Sequence, residues 1–212
     1  MKKEKGHLPA IEEIEQFIIC AGSDNIGVFG GSHEGGIHCQ QIPDEIAPAI
    51  LTILESGERI EAYLEIGVAA GGTTFLIDHY FHPEKIVLVD DNKHHKAGLR
   101  GEILKGIKYQ EIIGRSDDEE VIKTVSKIAP YDVILIDGDH LYPGVKLDTI
   151  SYLPMLRPGG FLILHDSALP EWGVARVVRE LKTDPGVEFI GEYVSTKHPR
   201  PLGVALCRKA RQ

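Results

Sequence analysis

Tyr63-Leu-Glu-Ile-Gly-Val-Ala-Ala-Gly-Gly-Thr-Thr74 joins an apolar strand, a turn of small residues and the start of a helix within a dozen positions. Small residues at Gly67, Ala69, Ala70, Gly71 and Gly72 let a ligand approach the backbone closely. The free N–H groups of the new helix point into the same space. A dinucleotide fingerprint would read G-x-G-x-x-G, whereas the spacing here is Gly67-x-x-x-Gly71-Gly72, which argues against a nicotinamide cofactor.

Outward from this turn, short apolar runs alternate with helical patterns. The runs are 62–68, 85–90, 107–113, 132–137 and 160–165, and helices are expected at 72–82, 93–104, 117–128, 143–156 and 171–182. Such alternation, with nearly continuous apolar strands, signals a parallel sheet covered by helices on both faces. Two further runs, 187–194 and 202–207, are separated by a loop containing His198-Pro-Arg-Pro201 and suggest an antiparallel C-terminal hairpin that brings the total to seven strands. Upstream, Ile11, Ile14, Phe17 and Ile18 have helical spacing, and glycines at 22, 27, 30, 31, 35 and 36 mark a turning segment. Asp44 is expected to cap a helix ending at Gly57, with Pro48 in its first turn. The expected division is residues 1–58 as an N-terminal helical and glycine-rich segment serving as a lid, and residues 59–212 as the ligand-binding domain.

The 212 residues carry 23 Lys+Arg against 32 Asp+Glu, a formal net charge of −9. An acidic surface without a basic run disfavours nucleic acid as a partner. No apolar run approaches the roughly 20 residues of a membrane span. The three cysteines, Cys20, Cys39 and Cys207, are far apart and read as reduced thiols of a cytoplasmic protein. Glu12, Glu13 and Glu15 interrupt what would be the apolar part of a signal peptide.

In open parallel sheets, ligands sit beyond the carboxyl ends of the strands. The second strand stops at Asp90, where a carboxylate can accept both hydroxyl protons of a ribose, and the third is followed by Gly114-Arg-Ser-Asp117. Ser116-Asp-Asp-Glu119 also reads as a capping box that opens a helix. The fourth strand ends Asp137-Gly-Asp-His140-Leu-Tyr142 and the fifth ends His165-Asp-Ser167. If these two strands are neighbours, their ends lie roughly 5 Å apart, so Asp137 and Asp166 can share one hard cation such as Mg2+. His140 titrates near neutrality and can take a hydroxyl proton, as can Asp139 beside it. Tyr142 and Trp172 are candidate acceptor contacts. His33, His38 and Cys39 match no standard metal spacing and read as lid residues, while His94, His95 and His198 read as solvated.

The glutamate–glycine turn, the acid ending the second strand and Leu156-Arg-Pro-Gly-Gly160 resemble the class I S-adenosylmethionine-dependent methyltransferases over about residues 40–207. The Asp-Gly-Asp-His-x-Tyr stretch, Asp148 and the closing His-Asp are similar to the catechol and caffeoyl-coenzyme A O-methyltransferases, and more so to the small bacterial sugar- and antibiotic-tailoring group. The resemblance implies a Rossmann-like, doubly wound α/β fold. It places Glu65, Gly67, Gly71, Gly72 and Thr73 at the methionine part of S-adenosylmethionine, Asp90 at its ribose, and Ser116 and Asp117 near its adenine, with Asp137 also bordering the cofactor. It makes Asp137 and Asp166 ligands of a divalent cation, Mg2+ or Mn2+, with His165 or, on an alternative match, Ser167 as the third. It implies O-methylation of a small hydroxylated acceptor; separately, an N-terminal segment that can cover its own site or a neighbour's leaves a homo-oligomer open. The competing readings are a cofactor-binding module without turnover and a nicotinamide oxidoreductase, the latter opposed by the glycine spacing.

Overall fold

The computed structural model describes residues 8–31 and 35–211. Seven strands form one sheet: β1 (Ala62–Ile66), β2 (Lys85–Asp90), β3 (Gln110–Ile113), β4 (Tyr131–Ile136), β5 (Leu156–His165), β6 (Val187–Tyr193) and β7 (Val204–Lys209), in the order β3-β2-β1-β4-β5-β7-β6. The first five strands pair in parallel, and β7 is antiparallel to both β5 and β6. This is the doubly wound, mostly parallel α/β sheet expected from the sequence. β7, buried along Val204–Cys207, sits inside, while the less buried β6 takes the edge.

The eight helices of the described residues are α1 (Ile11–Gly22), α2 (Ile26–Phe29), α3 (Pro43–Glu55), α4 (Gly72–Phe81), α5 (Arg100–Ile103), α6 (Glu119–Ser126), α7 (Tyr142–Tyr152) and α8 (Val174–Leu181). Because successive strand side chains point to opposite faces, the strands feed two cores. Tyr63, Leu88, Val133 and Ile163 pack with Ile18 of α1, Ile46 and Ile50 of α3 and Leu76 of α4. Leu64, Val87, Ile134 and Leu162 pack with Val125 of α6, Tyr152 of α7 and Val178 of α8. Burial on both faces explains why the strands read as unbroken apolar runs. Residues of α1 and α3 thus share one core with the sheet. No helix among the described residues is long and apolar enough to cross a membrane.

Several local expectations are corrected. Pro43 occupies the first helical position of α3 and Ile42 precedes it without a side-chain cap, so Asp44 caps nothing and Pro48 falls inside the helix rather than in its first turn. Thr52 Oγ1 donates to the Pro48 carbonyl at 2.8 Å. The cap of α6 is Asp118, whose carboxylate accepts from Glu120 N, and not Ser116. The helix expected at 93–104 is reduced to a 3-10 turn over Ala97–Leu99 followed by the single turn of α5, in keeping with the cost of Gly98 and Gly101 in a helix interior.

Strand order reverses between β1 and β4: β1 leads through α4 to β2 on one side, while β4 leads through α7 to β5 on the other. Their carboxyl ends flank the switch point, where a crevice opens.

Candidate functional site

A cavity of about 530 Å3 occupies this switch point, within the range for small-molecule sites. Two glycines of the β1–α4 turn shape one wall by admitting backbone. A Cβ at Gly67, whose φ is +81°, would lie 2.2 Å from the Asp137 carbonyl oxygen; one at Gly72 would lie 2.7 Å from Cys39 Cα. Gly71, at φ +91°, caps α4 in the left-handed conformation and packs toward Leu104 and Arg100, outside the cavity lining.

Asp90 ends β2 against this turn. Its Oδ2 accepts from Val68 N at 2.7 Å and Ala69 N at 3.0 Å, and its Oδ1 from Asn92 N at 2.7 Å. The buried Arg100 approaches the same carboxylate at 3.3 Å and also binds Glu111. Asp90 therefore organises the turn and lines the cavity. Glu65, 2% exposed, accepts from Tyr63 Oη at 2.8 Å and Thr74 Oγ1 at 2.5 Å. Burial pushes it up to about 8, against the pull of those two donors.

At the other end, Ser116 and Asp117 line the cavity. Asp117 is held in a two-pronged pair by Arg115, both contacts at 2.8 Å, and Tyr152 Oη donates to the Ser116 carbonyl at 2.7 Å. Asp148, 1% exposed on α7, sits behind this wall and is pushed up to about 6 by burial.

Between these ends, β4 and β5 deliver the acids and imidazoles, as their neighbouring positions require. His165 Nδ1 lies 2.9 Å from Asp137 Oδ1 and 3.3 Å from Asp166 Oδ2; His140 Nε2 lies 2.9 Å from Asp166 Oδ2 and 3.5 Å from Asp137 Oδ1. Ligand atoms of Asp137, His140 and Asp166 all fall within 4.8 Å of one another. Burial pushes Asp137 up, but the facing His165 and His140 more than reverse it and hold it well below the usual carboxylate range. Burial opposes the charge on both imidazoles, yet the two carboxylates raise His140 to about 9 and His165 to about 10. Asp166 keeps a positive φ of +62° at the end of β5. The Trp172 indole stacks on the His140 ring, centroids 4.3 Å apart and planes 8° from parallel.

These donors suit a divalent cation. Asp166 Oδ1 is buried without a hydrogen-bond partner, and His140 Nε2, though close to two carboxylate oxygens, is not aligned for a hydrogen bond with either. Beyond the Asp137–His165 hydrogen bond, carboxylate and imidazole groups converge here with polar atoms left over, an arrangement that can take a further ligand.

Of the sequence-derived site residues, Glu65, Gly67, Gly72, Thr73, Asp90, Ser116, Asp117, Asp137, Asp139, His140, His165 and Asp166 all border the cavity. Asp139 is exposed and turned toward the start of α7, where its Oδ1 accepts from Leu141 N at 2.8 Å. Ser167 is buried beside the β7 connection, away from the cavity lining. Tyr142 faces away: its hydroxyl donates to Glu180 at 2.9 Å, and Arg176 covers its ring. His33 lies outside the described residues. Cys39 is fully buried against Gly72, its thiol pushed up to about 12 by burial. His38 and His94, by contrast, line the cavity, and so does Gln41, which sequence reasoning passed over. A polar pair, Gln40-Gln41, just ahead of an amphipathic helix was the one available signal for it.

Comparison with known proteins agrees with this architecture. Residues 64–167 match the sequence model of a methyltransferase domain family. The chain is 24% identical over 208 residues to the 8-demethyl-8-alpha-L-rhamnosyl tetracenomycin-C 2'-O-methyltransferase of Streptomyces olivaceus, an alignment covering 90% of this chain and 51% of that protein. The chain thus spans about half the length of that curated relative. Among solved structures, the O-methyltransferase TomG of Streptomyces achromogenes, in complex with SAM, superposes with a TM-score of 0.63 at 17% identity, covering 93% of this chain and 90% of that one. The MycE methyltransferase of mycinamycin biosynthesis, in complex with Mg, SAH and mycinamycin VI, superposes with a TM-score of 0.57 at 20% identity, covering 78% and 49%. The glycine turn, the acid closing β2, the acidic crevice at the switch point and these similarities agree that residues 64–167 carry a methyltransferase domain, in a chain similar to O-methyltransferases.

Proposed function

We propose that this chain transfers the methyl group of S-adenosylmethionine to a hydroxyl of a small polyhydroxylated acceptor, assisted by a divalent cation. The observation that carries this reading is the convergence of Asp137, His140 and Asp166 in the same cavity as the Gly67–Gly72 turn. The named sugar 2'-O-methyltransferase relative and the Mg-bound neighbour support the acceptor class and the cation.

The donor brings a methyl on a sulfonium, whose positive charge already activates the carbon for in-line displacement. The chain's task is to align donor and acceptor and exclude water. Glu65, Gly67, Gly72 and Thr73 would border the methionine part, Asp90 the ribose, and Ser116 and Asp117 the adenine. Asp137 and Asp166 would hold the cation, which would lower the acceptor's hydroxyl pKa. His140 then receives the acceptor proton at Nε2, a role the exposed Asp139 is less well placed to fill. A cation held by these carboxylates would share the charge that raises His140 to about 9, and so would bring the imidazole back toward a base of ordinary strength. Trp172 keeps the imidazole face dry and in place, and His38, Gln40 and Gln41, from the glycine-rich segment 21–41 expected to cover the site, wall the cavity on its N-terminal side.

The reading is tested by incubating the protein with methyl-labelled S-adenosylmethionine and a panel of deoxysugar glycosides and catechols, in EDTA or Mg2+. Label is expected in a methyl ether of the acceptor only with the cation, and Asp137→Asn should cut turnover by about 10²-fold or more. Full activity in Asp137→Asn would contradict the cation site.

A further inference from the structure

Gln41 belongs to a stretch held from below. Ile37 N donates to the Ala21 carbonyl at 2.9 Å, Cys39 N to that of Gly22 at 3.1 Å, and Asn25 Nδ2 to the carbonyls of Gln40 and Gln41 at 3.3 and 3.2 Å. The Gln41 side chain, 1% exposed, lines the cavity. Its Nε2 donates to Asp137 Oδ2 at 2.8 Å. That contact fixes the amide's orientation, because a carboxylate can only accept. The amide oxygen Oε1 is then turned from Asp137 as a pure acceptor, and it is buried without a partner. A buried acceptor of this kind calls for an N–H or O–H from a ligand.

The surroundings narrow the choice. Two residues before Gln41, Cys39 packs on Gly72 at the first turn of α4 and feels the charge of Glu65 and Asp137. Gln41 therefore follows directly on the segment packed against Gly72, at the Glu65–Gly72 end of the cavity. The orphan amide oxygen at this end of the cavity calls for an N–H donor, and an amino-acid-bearing ligand supplies one in its α-ammonium. We infer that Gln41 Oε1 accepts a hydrogen bond from the α-ammonium of the donor's methionine part, making Gln41 a residue that selects amino-acid-bearing nucleosides over deaminated ones. This rests on the methyltransferase reading above and deepens its donor half.

The test is calorimetric titration with two ligands: S-adenosylhomocysteine, and its analogue in which CH2 replaces CH(NH3+), 4-(5′-adenosylthio)butanoate. Wild type is expected to prefer S-adenosylhomocysteine by roughly tenfold or more. Gln41→Leu should reduce that preference to within about threefold while leaving affinity for the analogue nearly unchanged, and Gln41→Glu, which restores an acceptor, should keep it. A wild-type preference retained in Gln41→Leu would overturn the inference, as would an equal loss for both ligands. If Gln41→Leu does not fold, Gln41→Met removes the same acceptor and is read by the same criteria. Failure of wild type to bind S-adenosylhomocysteine at all would instead overturn the methyltransferase reading, whatever the Gln41 variants do.

Discussion

Proton and cation should compete for the β4–β5 cluster, and the size of that competition follows from its charges. With His140 raised to about 9 by Asp137 and Asp166, nearly every molecule carries the His140 proton at pH 7.5. A cation shared by the two carboxylates competes with the protons on both His140 and His165, so binding at pH 7.5 should release at least one proton. Linkage then requires the affinity to rise at least about tenfold, or about 1.4 kcal/mol, for each pH unit up to about 9, and to level off only above about 10. The assay is Mn2+ titration by calorimetry in buffers of differing ionisation enthalpy, repeated from pH 6.5 to 9.5. His140→Gln should lower the number of protons released by about one and flatten the profile accordingly. A binding heat independent of the buffer would refute the argument. Release unchanged in His140→Gln but lost in His165→Gln would move the titrating role to His165, the imidazole that the sequence resemblance placed among the ligands.

Three further outcomes follow from the same geometry. Gly67→Ala puts a methyl 2.2 Å from the Asp137 carbonyl at a φ of +81°; urea melts should show a loss of about 1–3 kcal/mol, with S-adenosylhomocysteine binding weakened as the 137–138 backbone shifts. Asp90→Asn leaves a neutral acceptor where a carboxylate stood, and should weaken S-adenosylhomocysteine roughly ten- to hundredfold, the worth of a charge-assisted hydrogen bond, as read by calorimetry; unchanged affinity would remove Asp90 from the ribose. Without cation, the melting temperature should fall steadily above pH 6.5. His140 and His165 have folded values raised above 6.5, so their stabilisation is complete below that pH and lost as pH rises through about 9 and about 10. Glu65, raised to about 8, adds a loss in the same direction between 4.5 and 8. A flat melting profile across this range would contradict the charges assigned to the cluster.

The features legible in the sequence are those set by periodicity and strand ends. The Tyr63–Thr74 turn, the alternation of apolar runs and helices, and the neighbouring β4 and β5 brought Asp137 and Asp166 together because backbone register decides that meeting. Helix starts were less legible where signals overlapped: Ser116 and Asp118 both precede acids, and Pro43 displaced Asp44 from the cap by taking the first helical position itself. Which imidazole faces the open space depends on side-chain rotamers and on the Trp172 stack, neither of which spacing encodes. Contacts far apart in sequence were out of reach altogether. Gln41 reaches Asp137 across 96 positions. Glu45, fully buried, accepts from Ser195 N at 2.9 Å, Leu202 N at 3.1 Å and Gly203 N at 2.8 Å, anchoring the connection between β6 and β7. That connection in turn receives Ser167 N and Ala168 N, so Glu45 steadies the backbone just after Asp166. In one dimension Glu45 is an acid in the first turn of a helix; only the packed fold gives it three partners.

The central claim is that the switch-point cavity binds the methyl donor, and the most direct measurement is calorimetric titration of S-adenosylhomocysteine into the purified protein in EDTA, repeated with Mg2+ or Mn2+. Stoichiometric binding with micromolar affinity in both buffers, with cation heat seen separately, is the predicted result. No binding in any buffer would contradict the account and leave only the fold standing.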